Sequence, residues 1–158
     1  MHIDLYERFW MWSAGAICAA LFGTIVYGLV SEGTRPPSHV ETIDPTAVWS
    51  DPRFAQPGVT ANPDGSVPVT AVALMFAFQP GEIRVPAGKP VTFRLTSPDV
   101  VHGFEIVGTN ANTMVIPGYV AQFTTTFATP GEYLMVCHEY CGLGHHAMMG
   151  KLIVEEAL

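Results

Sequence analysis

From Phe9 to Val30 the chain runs through 22 residues without a charge, FWMWSAGAICAALFGTIVYGLV. Beyond residue 66 it changes to short runs in which apolar and polar residues alternate. The first pattern predicts a helix. At 1.5 Å per residue it would span about 33 Å, enough to cross a hydrocarbon core of about 30 Å. Trp10, Trp12 and Tyr27 lie toward its ends, where amphipathic rings favour the membrane interface. A cleaved leader is the competing reading, but the apolar run is longer than a leader's apolar region. The residues before it carry Asp4 and Glu7 against a single Arg8, a poor leader start. An uncleaved membrane anchor over residues 9–30 is therefore expected, preceded by a juxtamembrane segment over residues 1–8. Arg8 and Arg35 flank the anchor symmetrically, so charge does not orient it. Cys18, within the anchor, is expected to serve as a small packing residue.

The second pattern predicts strands. Val67 to Phe78 is apolar and β-branched in its first half. Val91, Phe93 and Leu95 alternate with Thr92, Arg94 and Thr96, and Phe123, Thr125 and Phe127 share one side of the run Gln122 to Phe127. Glu132 to Val136 and Lys151 to Val154 complete the set. Pro80-Gly81, Ala87-Gly88, Pro117-Gly118 and Pro130-Gly131 punctuate these runs. Several short strands with no helix after residue 30 predict an all-β sandwich or barrel over residues 67–158. Residues 31–66 are rich in Pro and Gly and lack periodicity, so they read as a linker and lead-in with a Pro63-Asp64-Gly65 turn.

Charge narrows the partners. The 158 residues carry a net charge of -7 and no run of Lys or Arg. A nucleic-acid footprint is therefore missing.

The candidate chemistry is concentrated in Cys137-His138-Glu139-Tyr140-Cys141-Gly142-Leu143-Gly144-His145-His146-Ala147-Met148-Met149-Gly150. A Cys137–Cys141 disulfide would close only a tiny loop and leave the His and Met residues unexplained. Zinc would use Cys and His but has little use for Met. Copper prefers thiolate and thioether donors alongside imidazole. A mononuclear copper site could draw on Cys141, His145 and Met148, with His102 supplied from a separate strand. Cys137 is then surplus. Two thiolates four residues apart can bridge two copper ions and share an electron between them, so the composition of the loop favours a copper pair.

Cys137-x-Glu139-x-Cys141-Gly142-x-x-His145-x-x-Met148, with the upstream Ser97-Pro98-Asp99-Val100-Val101-His102, resembles the binuclear copper A centre of cytochrome c oxidase subunit II. One anchor followed by a copper domain resembles the B-type haem–copper oxidases, as does the stretch Ala73-Leu74-Met75-Phe76-Ala77-Phe78-Gln79-Pro80; A-type relatives usually carry two anchors. The resemblance implies a cupredoxin-like Greek-key β-sandwich behind a single transmembrane helix. It implies that Cys137 and Cys141 bridge two copper ions and that His102 and His145 each supply an imidazole. Met148 is then a weak thioether ligand and the backbone carbonyl of Glu139 another, while His138, His146 and Met149 are packing or rim residues.

The same resemblance implies an electron-accepting subunit in the cell membrane, with its copper domain on the outer side. Its donor would be a cytochrome c-type or small copper protein. Its acceptor would be haem in oxidase subunit I, where oxygen is reduced and protons are pumped, and small membrane subunits could complete the complex. Phe76, Phe78 and Met148 are candidates for an apolar donor-docking patch, with buried core as the alternative for the two Phe. In A-type relatives the side chain matching Glu139 helps bind magnesium, a role that a B-type architecture disfavours. Tyr6-Glu7-Arg8 resembles the segment that feeds the proton channel of B-type oxidases, which makes Glu7 a candidate for proton uptake; a solvated carboxylate paired with Arg8 is the alternative. The rival function is a membrane-tethered copper chaperone. The copper A module of nitrous oxide reductase follows a large propeller domain, for which 158 residues leave no room.

Overall fold

The computed structural model describes residues 4–31, 41–60 and 62–156. The chain divides into two compact units, residues 1–38 and 39–158. Within the first, α1 (Leu5–Ser31) is a 27-residue helix with no buried residue. It is long and apolar enough to cross a membrane. Asp4 caps its start: the Asp4 carboxylate accepts from the Tyr6 amide at 2.7 Å, and Glu7 reaches back to the Asp4 amide at 3.3 Å. Two otherwise unpaired backbone donors are met reciprocally by this Asp-x-x-Glu box. Cys18 is exposed on this helix.

The second unit holds β1 (Glu41–Thr42), β2 (Gly58–Val59), β3 (Val67–Leu74), β4 (Ala77–Gln79), β5 (Glu82–Pro86), β6 (Pro90–Thr96), β7 (His102–Ile106), β8 (Asn112–Val115), β9 (Tyr119–Thr126), β10 (Gly131–Val136) and β11 (Met149–Glu155). These form two sheets. One has the order β1-β9-β6-β3-β2 with β4 added to β3, and the other has the order β5-β11-β10-β7-β8. Two pairs are parallel, β3 with β6 and β5 with β11, and the rest are antiparallel.

The core between the sheets follows from the period-two alternation of the strands. Val91, Phe93 and Leu95 of β6 point inward, as do Ile83 and Val85 of β5 and Leu152 and Val154 of β11. Phe93 stacks on Phe123 with ring centroids 5.1 Å apart, and Phe104 meets Phe78 edge-on at 5.5 Å. Cys137, Cys141 and Met148 belong to this same cluster, at the end of the sandwich where β10 turns into β11.

The lead-in has a packed role of its own. Ile43, Val48 and Phe54 join Val72 and Val120 in a second apolar cluster, with Leu74 packed against it. Phe54 also lies beneath the Arg94 guanidinium, 5.8 Å from ring centre to Cζ. Ion pairs fasten this segment: Glu41 takes two hydrogen bonds from Arg94, at 2.6 and 2.7 Å, and one from Arg53, which also holds Asp51 at 2.6 Å. The compact unit thus begins well before residue 67 and includes residues of the lead-in; residues 32–40 of the expected linker lie outside the described residues.

Hydrogen bonding to the Arg53 side chain and amide holds the Asp51 carboxyl down at about 2, against 3.8 for a free aspartate. A carboxyl depressed in the folded state adds stability above its unfolded pKa and loses it as pH falls through the folded value. Urea midpoints of the full chain in detergent micelles should therefore fall between about pH 4 and pH 2. Arg53→Met should flatten that part of the profile; an unchanged slope would remove the Arg53–Asp51 pair from the acid response.

Candidate metal centre

Three segments build the centre. The antiparallel register of β10 on β11 ends at Val136 opposite Met149, and the Cys137 amide then donates to the Met148 carbonyl at 3.2 Å. Residues 137–148 are therefore one closed loop between paired strands. Inside it, His145 N–H donates to Gly142 O at 3.1 Å and Met148 N–H to His145 O at 3.0 Å, which winds residues 145–147 into a short 3₁₀ turn. His102 arrives from the start of β7, which pairs with β10 through Ile106 and Glu105. The third segment is the turn between β3 and β4, which brings Met75 and Phe76 against the loop.

The donor atoms converge. The two thiols are 3.9 Å apart, with His102 Nδ1 3.8 Å from Cys137 Sγ and His145 Nδ1 3.7 Å from Cys141 Sγ. Met148 Sδ is 3.6 Å from Cys141 Sγ, and the Cys137 thiol donates to the Glu139 carbonyl at 3.2 Å. Both cysteines are free and buried, which sets aside the disulfide alternative for this structure. Metal bonds of about 2.0–2.3 Å hold tetrahedral donors about 3.3–3.8 Å apart, so the spacing suits ligands around metal. Donor chemistry and geometry fit the copper centre that the resemblance implies. His102, Cys137 and Cys141 are the only His, Cys, Asp or Glu group of three among the described residues whose donor atoms all lie within 4.8 Å of one another.

Electrostatics explains why the metal-free Cys141 thiol stays protonated. Burial, followed by the neighbouring Cys137, pushes the Cys141 thiol up to about 11. Asp99 goes the other way. Burial opposes its ionisation, but hydrogen bonds from His102, Met75, Val100 and Ser97 outweigh that cost and hold its carboxyl below the usual aspartate range. Its Oδ1 lies 2.8 Å from His102 Nε2. With the proton on Nε2, Nδ1 is left as a lone-pair donor facing Cys137. The motif leading to His102 contains Asp99 but gives it no role of its own; a carboxylate three residues from a candidate ligand His is the sequence signal for this contact.

The other expected residues divide. Phe76 is 39% exposed and its ring lies over the loop: a Cβ on Gly144 would come within 2.4 Å of it, and one on Gly142 within 2.9 Å. Phe78 is only 3% exposed and faces Phe104 in the core, so it does not line a docking surface. Met148 is likewise buried, at 2%. Instead Tyr140 and Leu143, at 75% and 89% exposure, form the outer face of the loop, and sequence pattern gave them no role. His138 packs its ring into the space left by Gly103, where a Cβ would meet it at 2.5 Å, and its Nδ1 is 3.6 Å from the Glu139 carboxylate. Met149 and His146 are exposed. Glu7 lies in the helix cap, and no Glu7–Arg8 ion pair occurs among the described residues.

Taken together, two packed β-sheets with a buried Cys/His cluster at one end define a cupredoxin-like domain, here accompanied by an apolar helix. The fold is shared by the periplasmic domain of cytochrome oxidase subunit II from Bradyrhizobium japonicum, at TM-score 0.52 and 21% identity over 56% of this chain and 83% of that one. Residues 71–157 match the family model for the periplasmic domain of cytochrome c oxidase subunit II. A curated relative, cytochrome c oxidase subunit 2 of Thermus thermophilus, is 40% identical over 96% of this chain and 92% of its own length. A subunit from the cryo-electron microscopy structure of a haem–copper terminal oxidase dimer superposes at TM-score 0.80 with 37% identity, over 95% of this chain and 99% of that one. The chain belongs to the cytochrome c oxidase subunit II family.

Phe76 and Gly144 yield a test of the loop's packing. Gly144→Ala should lower the thermal midpoint of the metal-free chain, at a cost of about 1–3 kcal/mol for an overpacked contact. Adding Phe76→Ala should restore part of the loss. Equal damage with and without the Phe76 ring would show that the ring does not limit the space at Gly144.

Proposed function

We propose that this chain is the electron-accepting subunit of a haem–copper oxidase of the B-type branch, holding a binuclear copper centre. The observation that supports the reading best is the donor set itself: two thiols 3.9 Å apart, each beside its own imidazole, with a thioether and a carbonyl at the margins. One tetrahedral ion takes four ligands, and this set offers six. Cys137 and Cys141 would bridge, His102 and His145 would each complete one side, and Met148 and the Glu139 carbonyl would be the weak ligands. The segment Ala73–Pro80, whose Phe76 covers the loop, supports the B-type assignment through its resemblance to that branch.

A copper pair bound there would supply one-electron redox chemistry. The chain's own residues do the rest. Burial of Cys137, Cys141, His102 and Met148 keeps water from the donors. The backbone hydrogen bonds of the loop hold the donors near their liganding positions, so little rearrangement need accompany a change of charge. Phe76, Tyr140 and Leu143 offer an exposed apolar face to a cytochrome c-type or small copper protein donor. Haem, oxygen reduction and proton pumping belong to the partner subunit in this scheme. The helix Leu5–Ser31 would anchor the chain in the cell membrane, with residues 67–158 on the outer side. A tethered copper chaperone is the competing reading, and co-purification with a haem-bearing partner separates the two.

Metal analysis of the copper-loaded full chain in detergent should give two copper ions per chain, with an electron paramagnetic resonance spectrum lacking the four-line mononuclear pattern. Cys137→Ser and Cys141→Ser should each abolish it. Met148→Leu should keep both ions and shift the potential, because it removes only a weak ligand. A single copper per chain, or loss of copper in His146→Ala but not in His145→Ala, would overturn the ligand assignment.

A further inference from the structure

Asp99 is not among the donors, yet both of its oxygens are engaged. Oδ1 faces His102 Nε2 at 2.8 Å, accepts the Val100 amide at 2.6 Å and lies 3.0 Å from the Ser97 hydroxyl, which also reaches the Val100 carbonyl at 2.7 Å. Oδ2 accepts the Met75 amide at 2.7 Å, 24 residues away in sequence. Met75 begins the turn between β3 and β4, and the next residue, Phe76, lies over Gly142 and Gly144 of the loop. Met75 Sδ itself comes within 3.8 Å of where a Gly142 Cβ would stand. One carboxylate therefore touches a candidate ligand on one side and, on the other, the cover of the loop that carries the remaining donors.

We propose that Asp99 is a positioning residue that couples the two. Through Oδ1 it fixes His102 in the Nε2–H form, with Nδ1 directed at the thiols. Through Oδ2 it pins the Met75–Phe76 turn as a roof on the Gly142–Gly144 stretch. The chemistry at this position demands a carboxylate. The Val100 amide on Oδ1 and the Met75 amide on Oδ2 can only donate, and only an ionised carboxyl accepts on both sides. An amide has one acceptor end and one donor end, so it must set a donor against a donor somewhere. Three contacts converge on the Oδ1 side and one on the Oδ2 side. The side-chain amide introduced by Asp99→Asn would therefore turn its oxygen toward His102 and its NH₂ toward the Met75 amide. Asp99→Asn thus separates the two roles: it keeps the His102 tautomer and releases the roof. Asp99→Ala releases both.

The functional weight of this coupling rests on the copper reading, but the clamp is a property of the metal-free chain and is tested there. The full chain in detergent micelles, reduced and without metal, is observed by nitrogen-15 nuclear magnetic resonance at the His102 ring and by hydrogen exchange at the Met75 amide. Wild type should show the Nε2–H tautomer and a protected Met75. Asp99→Asn should speed Met75 exchange about tenfold, the loss of one net hydrogen bond, and leave the tautomer unchanged. Asp99→Ala should speed the exchange and shift His102 toward the Nδ1–H form. An Nδ1–H tautomer in the wild type, or a Met75 amide still protected in Asp99→Asn, would overturn the assignment without requiring any variant to bind metal. In the copper-loaded chain the potential shifts of Asp99→Asn and Phe76→Ala should not add in the double variant. Additive shifts would show that clamp and roof act separately. A chain that binds one copper or none would refute the binuclear reading and leave the metal-free result standing.

Discussion

The pairing of β10 with β11 is the constraint on which the rest depends. Because Val136 sits opposite Met149 and the Cys137 amide reaches the Met148 carbonyl, residues 137–148 must close on themselves within one strand spacing. Two cysteines, a histidine and a methionine in that loop are forced into contact before any metal arrives. The cost of bringing soft, polar and ionisable groups together is carried by the β ladder, which is itself locked to β7 on one side and to β5 on the other. The same ladder brings His102 alongside, since β7 pairs with β10 next to the loop. A sandwich end becomes a metal centre because the strands leave the donors nowhere else to go.

Glycine is what lets the covering parts settle. Gly103 gives up its side chain to the His138 ring, and Gly144 gives up its own to Phe76. Gly142 combines both demands, a positive φ of 131° and the Phe76 ring close by. The aromatic and imidazole rings therefore rest on bare backbone, and the loop gains cover without added thickness. This is the structural reason why Cys137, Cys141 and Met148 are buried while Leu143, in the same loop, is almost fully exposed.

The parts of this arrangement that could be read in the sequence are those with short-range signals. The uncharged run that became α1, the alternating runs of β6 and β9, and the dense Cys, His and Met loop each lie within one continuous stretch of chain. Parts governed by distant partners were not legible. β5 alternates plainly, with Ile83 and Val85 inward, but its partner β11 lies far along the chain and runs parallel to it. β7 and β8 carry a buried His and exposed Asn and Met, so neither has a clean apolar face. β4 has only three residues, and Phe76 lies in the turn before it, so strand alternation does not separate the exposed Phe76 from the inward Phe78. Asp99 was visible in the motif, but its contact with Met75 depends on two segments meeting in space.

The second apolar cluster has a consequence for how this domain can be separated from its anchor. Ile43, Val48 and Phe54 cover Val72 and Val120 on the outer side of the larger sheet, so that part of the sheet is buried on both faces. A fragment cut after the Pro63-Asp64-Gly65 turn would keep every strand that builds the metal loop. It would also strip the cover from Val72, Leu74 and Val120 and leave the Arg94 guanidinium without Glu41 and Phe54. Bare β-branched side chains on a flat sheet invite a second sheet to pack against them, and precipitation is the usual result. The soluble boundary of the domain therefore lies before Glu41, in a segment whose composition resembles a disposable tether.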